Sequence, residues 1–288
     1  SSACAARPAR PAPRSQVLTG RLRESATDSR QGPFAPVSTP QLSVVIPAFN
    51  EEGNVLALLA ETVAALRDGP DFEVIFVDDH SRDGTLALLQ GARAGTPELR
   101  VLAHETQSGQ STAIRNGVKA ARAPWVATLD GDGQNDPADM PALLRSARET
   151  EAQGEHFCIA GYRKNRQDTE WKKFQSRIAN AVRQKILNDQ VPDTGCGLKL
   201  IPRATWLQLP YFDHMHHYLP ALVLRLGGAI RVVPVNHRAR QAGVSKYNAW
   251  NRLWVGLVDM AGVVWLTRRG KRPVIAQVRT LAAHEESH

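Results

Sequence analysis

Ordered hydrophobic patterning begins at Leu42. Leu42-Ser43-Val44-Val45-Ile46 is a short β-branched apolar run stopped by Pro47, the texture of a strand buried in a parallel sheet. A helix is expected next, because Asn50-Glu51-Glu52 supplies a cap and first-turn acids while Val55, Leu58, Leu59, Thr62, Val63 and Leu66 recur at helical spacing. Phe72 to Val77 reads as a second strand ending in Asp78-Asp79, and Ser81-Arg82-Asp83-Gly84 turns into a helix around Leu86, Leu88 and Leu89. Leu99 to His104 is a weaker third strand, Ser108-Gly109-Gln110-Ser111 opens a third helix, and Trp125 to Leu129 is a fourth strand. After Pro137 the pattern predicts a helix over Met140 to Glu151, a strand ending at Gly161, a polar helix from near Glu170, a turn at Asp193-Thr194-Gly195-Cys196-Gly197 and a last strand near Arg231 to Val235.

Strands alternating with helices indicate βαβ units, right-handed crossovers and a mostly parallel sheet flanked by helices. Ligands of such sheets bind beyond the carboxyl ends of the strands. Pro47-Ala48-Phe49-Asn50, Asp78-Asp79 and Asp130-Gly131-Asp132 all fall at those ends, so three loops are expected to converge on one edge.

Two flanks lack this alternation. Residues 1–40, rich in Ala, Pro, Arg and Ser without an apolar core segment, read as a disordered basic lead-in and not as a signal peptide. Leu253 to Leu266 is apolar apart from Asp259, is flanked by Trp250 and Trp265, and precedes Arg268-Arg269-Gly270-Lys271-Arg272. Fourteen residues rise roughly 21 Å as a helix, short of a hydrocarbon core of about 30 Å, so the segment is expected to lie in a membrane interface. The resulting division is 1–40 lead-in, 41–247 α/β domain, 248–272 amphipathic interface helix with its basic flank, and 273–288 tail.

The 288 residues, 42% hydrophobic and 22% charged, suffice for one large globular domain. The net charge of +8 points to an anionic partner: nucleic acid, phosphorylated small molecules or an acidic membrane. No basic stripe with interleaved aromatics favours nucleic acid, so none is expected as a partner. Cys4, Cys158 and Cys196 form no CxxC pair, which argues against a zinc site or disulfide framework and fits a reducing, cytosolic-side setting.

The strongest chemistry lies in Asp130-Gly131-Asp132-Gly133-Gln134-Asn135-Asp136-Pro137. Two carboxylates one residue apart, among glycines at a strand end, can face one cavity. Mg²⁺ usually binds through one or two carboxylates plus substrate phosphates. Asp78-Asp79 could accept hydrogen bonds from a nucleobase or ribose. His214, His216 and His217 lack an i, i+4 pair and are read as structural or surface groups.

The stretches VVIPAFNEE, FVDDHSRDGT, LDGDGQNDP, TGCGLK and HRARQAGVSKY occur in this order between Leu42 and about Lys246. In these stretches the chain resembles the family-2 glycosyltransferases, in particular the polyprenyl-phosphate (dolichol-phosphate mannose synthase-like) branch. The resemblance implies an α/β nucleotide-diphosphosugar transferase (GT-A) fold with no dinucleotide-binding GxGxxG. It implies that Pro47, Phe49 and Glu51 line the base and ribose with Asp78 or Asp79, and that Asp130, Asp132 and Gln134 hold Mg²⁺ or Mn²⁺. Arg240, Ser245 and Lys246 would close on the diphosphate, while Arg163, Lys172, Ser176 and Arg177 would bind the acceptor phosphate. Phe49 stands where a tyrosine is frequent, and Lys172 where an arginine is often seen.

The implied activity is inverting transfer from a GDP- or UDP-sugar to polyprenyl phosphate, catalytically dependent on Asp130, Asp132, Arg240 and Lys246, at the cytoplasmic face of a membrane as a peripheral or monotopic protein. A homo-oligomer is left open. Two alternatives remain at this stage: transfer to a sugar hydroxyl in glycan or lipopolysaccharide synthesis, and a non-catalytic nucleotide-binding module. The first would need a base, and the Gln-x-x-Arg-Trp string of processive synthases does not occur.

Overall fold

The computed structural model describes residues 39–163, 183–189, 191–238 and 249–270. The polar helix expected near Glu170 lies outside them. The parallel half of the sheet follows from the apolar runs: β1 (Leu42–Ala48), β2 (Phe72–Asp78), β3 (Leu99–Ala103) and β4 (Trp125–Thr128) are mutually parallel in the order β3-β2-β1-β4. Between them run α1 (Val55–Leu66), α2 (Thr85–Ala92) and α3 (Gln110–Ala120). All seven residues of β1 are buried, as expected of a strand covered on both faces.

The second half departs from pure parallel winding. α4 (Met140–Glu151) and β5 (Phe157–Arg163) occupy their expected places. A strand not read from the sequence, β6 (Lys199–Pro202), inserts between β4 and β5 and is antiparallel to both. Its burial is complete, but four residues led by a lysine carry no readable apolar period. Short helices α5 (Arg203–Gln208) and α6 (Leu219–Arg225) follow, and β7 (Ala229–Val235) pairs in parallel with β5. The sheet is thus mostly parallel, flanked by helices, in the order β3-β2-β1-β4-β6-β5-β7. Gly117 of α3 faces β1 so closely that a Cβ would run into Val45, which lets the helix lie directly on the strand.

The helix after β1 begins later than expected. Its N-cap is Asn54, without a side-chain cap bond, because Asn50 adopts a left-handed backbone (φ 54°) and turns its side chain to the neighbouring loop. The C-terminal helix α7 (Ala249–Arg269) has 21 residues, longer than its apolar centre suggested. No helix among the described residues is long and apolar enough to cross a membrane.

Candidate active site

β2, β1 and β4 are adjacent and parallel, so their C-terminal ends deliver three loops to one edge, and the first two are bonded to each other. The Asn50 N–H donates to Ser81 Oγ (2.9 Å), the Arg82 N–H to Asn50 Oδ1 (2.8 Å) and the Glu51 N–H to Thr85 Oγ1 (2.8 Å). Asp83 accepts from the Thr85 N–H (3.0 Å) and hydroxyl (2.6 Å) at the start of α2. Pro47 is buried in β1, with Phe49 and Glu51 half-buried just beyond. Glu51 accepts from Asn54 Nδ2 at 2.7 Å.

The two adjacent acids of the second loop do different work. Asp79 Oδ1 accepts from the Ser108 N–H (2.8 Å) and lies 2.7 Å from His104 Nδ1, and Oδ2 accepts from the Gly109 N–H (2.8 Å). Asn116 Nδ2 stands 3.0 Å from His104 Nε2. Asp79 therefore fixes the entry to α3, where Gly109 takes φ 86°, a value that favours glycine. Asp78 accepts from the Ser81 N–H at 3.1 Å through Oδ2, while its buried Oδ1 has no partner.

The third loop holds the central charge. Asp130 accepts from Gln110 Nε2 at 2.8 Å. Burial first, and the neighbouring Asp132 second, push its carboxyl up to about 6, against the pull of Lys199, Arg163 and the Gln110 amide. A like-charge pair in a protected site is relieved by a cation. Space is provided by glycines on both sides: a Cβ at Gly131 would meet the Pro47 carbonyl oxygen at 2.5 Å, and one at Gly197 would occupy the place of the Asp130 carboxylate. Asp132 accepts from the Gln134 N–H at 3.1 Å across Gly133, which has φ 71°. No group of three or more His, Cys, Asp or Glu side chains forms a metal site among the described residues. Two carboxylates and an amide still suit a hard cation that shares its shell with phosphate oxygens.

Behind Asp130 lies the turn before β6. The Thr128 hydroxyl donates to the Gly197 carbonyl at 2.6 Å. The buried Lys199 ammonium donates to the carbonyls of Thr194 (3.1 Å) and Cys196. Arg163, at the end of β5, forms a bidentate pair with Asp193 (2.5 and 2.8 Å). Burial alone would lower its pKa, but Asp193, Cys196 and Asp130 raise it overall. Sequence reasoning missed Gln110, Asp193 and Lys199; TGCGLK contained the lysine, and its signal was a charge at a strand position. Of the expected residues, Pro47, Phe49, Glu51, Asp78, Asp79, Asp130, Asp132, Gln134 and Arg163 fall on this edge. Arg240, Ser245, Lys246, Lys172, Ser176 and Arg177 lie outside the described residues.

The histidines anchor elements. His216 Nδ1 is 2.7 Å from the buried Ser111 hydroxyl, and burial first, then the neighbouring His217, Lys199 and His214, hold its pKa well below the ordinary value. His214 pairs with Asp259 of α7 at 3.3 Å, giving the one acid of that apolar run a partner. The Tyr218 hydroxyl donates to the Gly256 carbonyl (2.8 Å) and Arg225 Nε to that of Leu266 (3.1 Å). Val263 is fully buried, while Trp254 is 70% and Trp265 60% exposed.

The sheet is that of the GT-A glycosyltransferase fold, and its parallel edge gathers two acids, flanking glycines and the cations Arg163 and Lys199. Residues 43–205 match the family described as Glycosyl transferase family 2, and the chain belongs to that family. It is 34% identical over 256 residues to the dodecaprenyl-phosphate galacturonate synthase of Rhizobium johnstonii, spanning 87% of this chain and 74% of that protein. It is also 34% identical over 221 residues to the undecaprenyl-phosphate 4-deoxy-4-formamido-L-arabinose transferase of Pseudomonas paraeruginosa, over 76% of this chain and 63% of the relative. The fold superposes on glucosyl-3-phosphoglycerate synthase of Mycobacterium tuberculosis, solved with Mn²⁺, UDP and glucosyl-3-phosphoglycerate, at a TM-score of 0.58 and 19% identity, covering 81% of each chain.

Proposed function

We propose that this protein is an inverting glycosyltransferase that moves a sugar from a nucleotide diphosphosugar to the phosphate of a polyprenyl phosphate, releasing nucleoside diphosphate. The observation that carries the reading is the packing of Arg163 and Asp130 against one turn: a Cβ at Gly195 would lie 3.2 Å from the Arg163 guanidinium, and one at Gly197 would occupy the place of the Asp130 carboxylate. It joins a cation assigned to the acceptor phosphate to a carboxylate assigned to the donor. The two relatives named above, both polyprenyl-phosphate sugar enzymes by name, support the acceptor class.

Pro47, Phe49 and Glu51 would take the nucleoside. Asp78, whose buried Oδ1 lacks a partner, is better suited to it than Asp79, whose oxygens already hold the entry to α3. Asp130, Asp132 and Gln134 would hold Mg²⁺ or Mn²⁺, which when bound neutralises the donor diphosphate and its departing charge. Arg163 would orient the acceptor phosphate from its Asp193 pairing. The roles of Lys172, Ser176 and Arg177 toward the acceptor, and of Arg240, Ser245 and Lys246 toward the diphosphate, rest on the sequence motifs. A phosphomonoester is largely dianionic at neutral pH, so the acceptor oxygen attacks the anomeric carbon without a protein base. Positioning and charge compensation provide the rate.

The lipid acceptor requires a membrane surface, and α7 is suited to one. Trp254, Val258, Ala261 and Trp265 share the exposed face, opposite the side held by Tyr218, His214 and Arg225. Arg268 and Arg269 at its end, with Lys271 and Arg272 following, favour an anionic leaflet. A peripheral or monotopic position on the cytoplasmic face is part of this proposal.

The test is incubation of the protein with radiolabelled UDP- and GDP-sugars, a short polyprenyl phosphate and Mn²⁺. Label from one donor is expected to become extractable into organic solvent. Failure of every donor to label the lipid would overturn the acceptor assignment.

A further inference from the structure

A polar cluster flanks the acidic loop. Where β7 ends, Asn236, His237 and Arg238 run along the acidic loop and bond to it in register. Asn135 and His237 form an antiparallel bridge, and the Arg238 N–H donates to the Gln134 carbonyl at 2.9 Å. The Asn236 N–H and Nδ2 donate to the two oxygens of Asp139 at 2.6 and 3.2 Å. The Arg238 guanidinium then spans two elements, donating to Asp136 Oδ1 and to Glu61 Oε2 of α1, each at 2.6 Å. Asp136 Oδ1 also accepts from the Ala138 N–H at 3.0 Å, so the arginine acts on the turn that ends the loop.

We infer that Arg238 is a positioning residue for the metal-binding loop: it clamps Gln134 to Asp136 against α1, so that Asp132 and Gln134 are held in place before a cation arrives. This rests on the proposal that Asp130, Asp132 and Gln134 bind the cation. An acidic loop containing Gly131 and Gly133 would otherwise lose conformational entropy on closing around an ion. Binding that uses an already ordered loop avoids that cost. Partners outside the ligand shell commonly change metal affinity by roughly 10- to 100-fold. Glu61 has a distinct part, because it ties the clamp to the helix that follows the nucleoside loop. The donor's base and its diphosphate are thereby registered to one frame.

Two measurements on the full chain test this. In the first, Mn²⁺ is titrated into protein with UDP, and separately with GDP, and bound Mn²⁺ is followed by electron paramagnetic resonance. Arg238→Gln is expected to weaken Mn²⁺ binding about tenfold with an unchanged far-ultraviolet spectrum, and Arg238→Lys to recover part of the loss. In the second, hydrogen exchange without metal is expected to quicken across residues 132–136 in Arg238→Gln, while β1 and β2 keep their protection. Unaltered exchange across 132–136 would overturn the clamp, whatever the metal result. Loosened exchange with unaltered Mn²⁺ affinity would overturn its role in metal binding. If the unsubstituted protein binds no Mn²⁺ with either nucleotide, the metal assignment itself falls, and the exchange result still decides whether Arg238 holds the loop.

Discussion

Asp130 sets the behaviour of the site at the residue scale. Its carboxyl is raised to about 6 chiefly by burial and then by Asp132, so in the metal-free protein the ionised form is disfavoured relative to the unfolded chain. The native state binds the extra proton between about pH 4 and pH 6, and stability falls as pH rises through that window. Asp130→Asn is therefore expected to raise the melting temperature at pH 7. The upper bound is about 3 kcal/mol, reduced because the carboxylate retains some solvent contact. The same substitution should abolish turnover. In the unsubstituted protein, Mn²⁺ affinity should fall below about pH 6 as protons compete for the ligand. A melting temperature lowered by Asp130→Asn at pH 7 would contradict this account. The acids and glycines of this loop were legible in the sequence, because their spacing carries the chemistry. The division of labour between Asp78 and Asp79 was not, since it depends on the Ser108 and Gly109 N–H groups of a distant loop.

Among the elements, the parallel core was readable from its apolar runs, whereas β6 was not. Lys199 occupies a buried strand position because its ammonium is consumed by the carbonyls of the turn before it, a compensation invisible without the fold. Glu73 of β2 is a comparable case. Only 1% exposed, it accepts from the Ser43 hydroxyl (2.7 Å), Arg100 (2.8 Å) and the Arg122 N–H and Nε (2.7 and 2.9 Å). Burial would raise its pKa, but these partners lower it overall. Its stabilisation is thus present at neutral pH and fades as pH falls through the carboxylate range. Glu73→Ala is expected to cost about 2 kcal/mol in chemical denaturation at pH 7, with less cost near pH 3, and to leave nucleotide binding intact because Glu73 lies at the opposite sheet edge. For α7, replacing both Trp254 and Trp265 by Ser should weaken sedimentation with anionic vesicles about tenfold. That amounts to about 1.4 kcal/mol, below the burial value of one large apolar side chain. Equal binding would remove the membrane role of that face.

In the whole molecule, a mostly parallel sheet directs three loops to one edge, β5 and β6 place Arg163 and Lys199 behind it, and α7 is tied alongside by Tyr218, His214 and Arg225. The sequence motifs picked out the residues gathered at this edge but not the links between its parts, such as Arg238 between α1 and the acidic loop, because those partners are far apart in the chain. The central claim is that the sugar is joined to the acceptor's own phosphate. Mass spectrometry of the lipid product, with quantitation of the released nucleotide, tests it most directly. The expected result is a polyprenyl monophosphate sugar formed mole for mole with nucleoside diphosphate. A lipid product carrying two phosphates with release of nucleoside monophosphate, or a sugar attached to a hydroxyl acceptor, would contradict it.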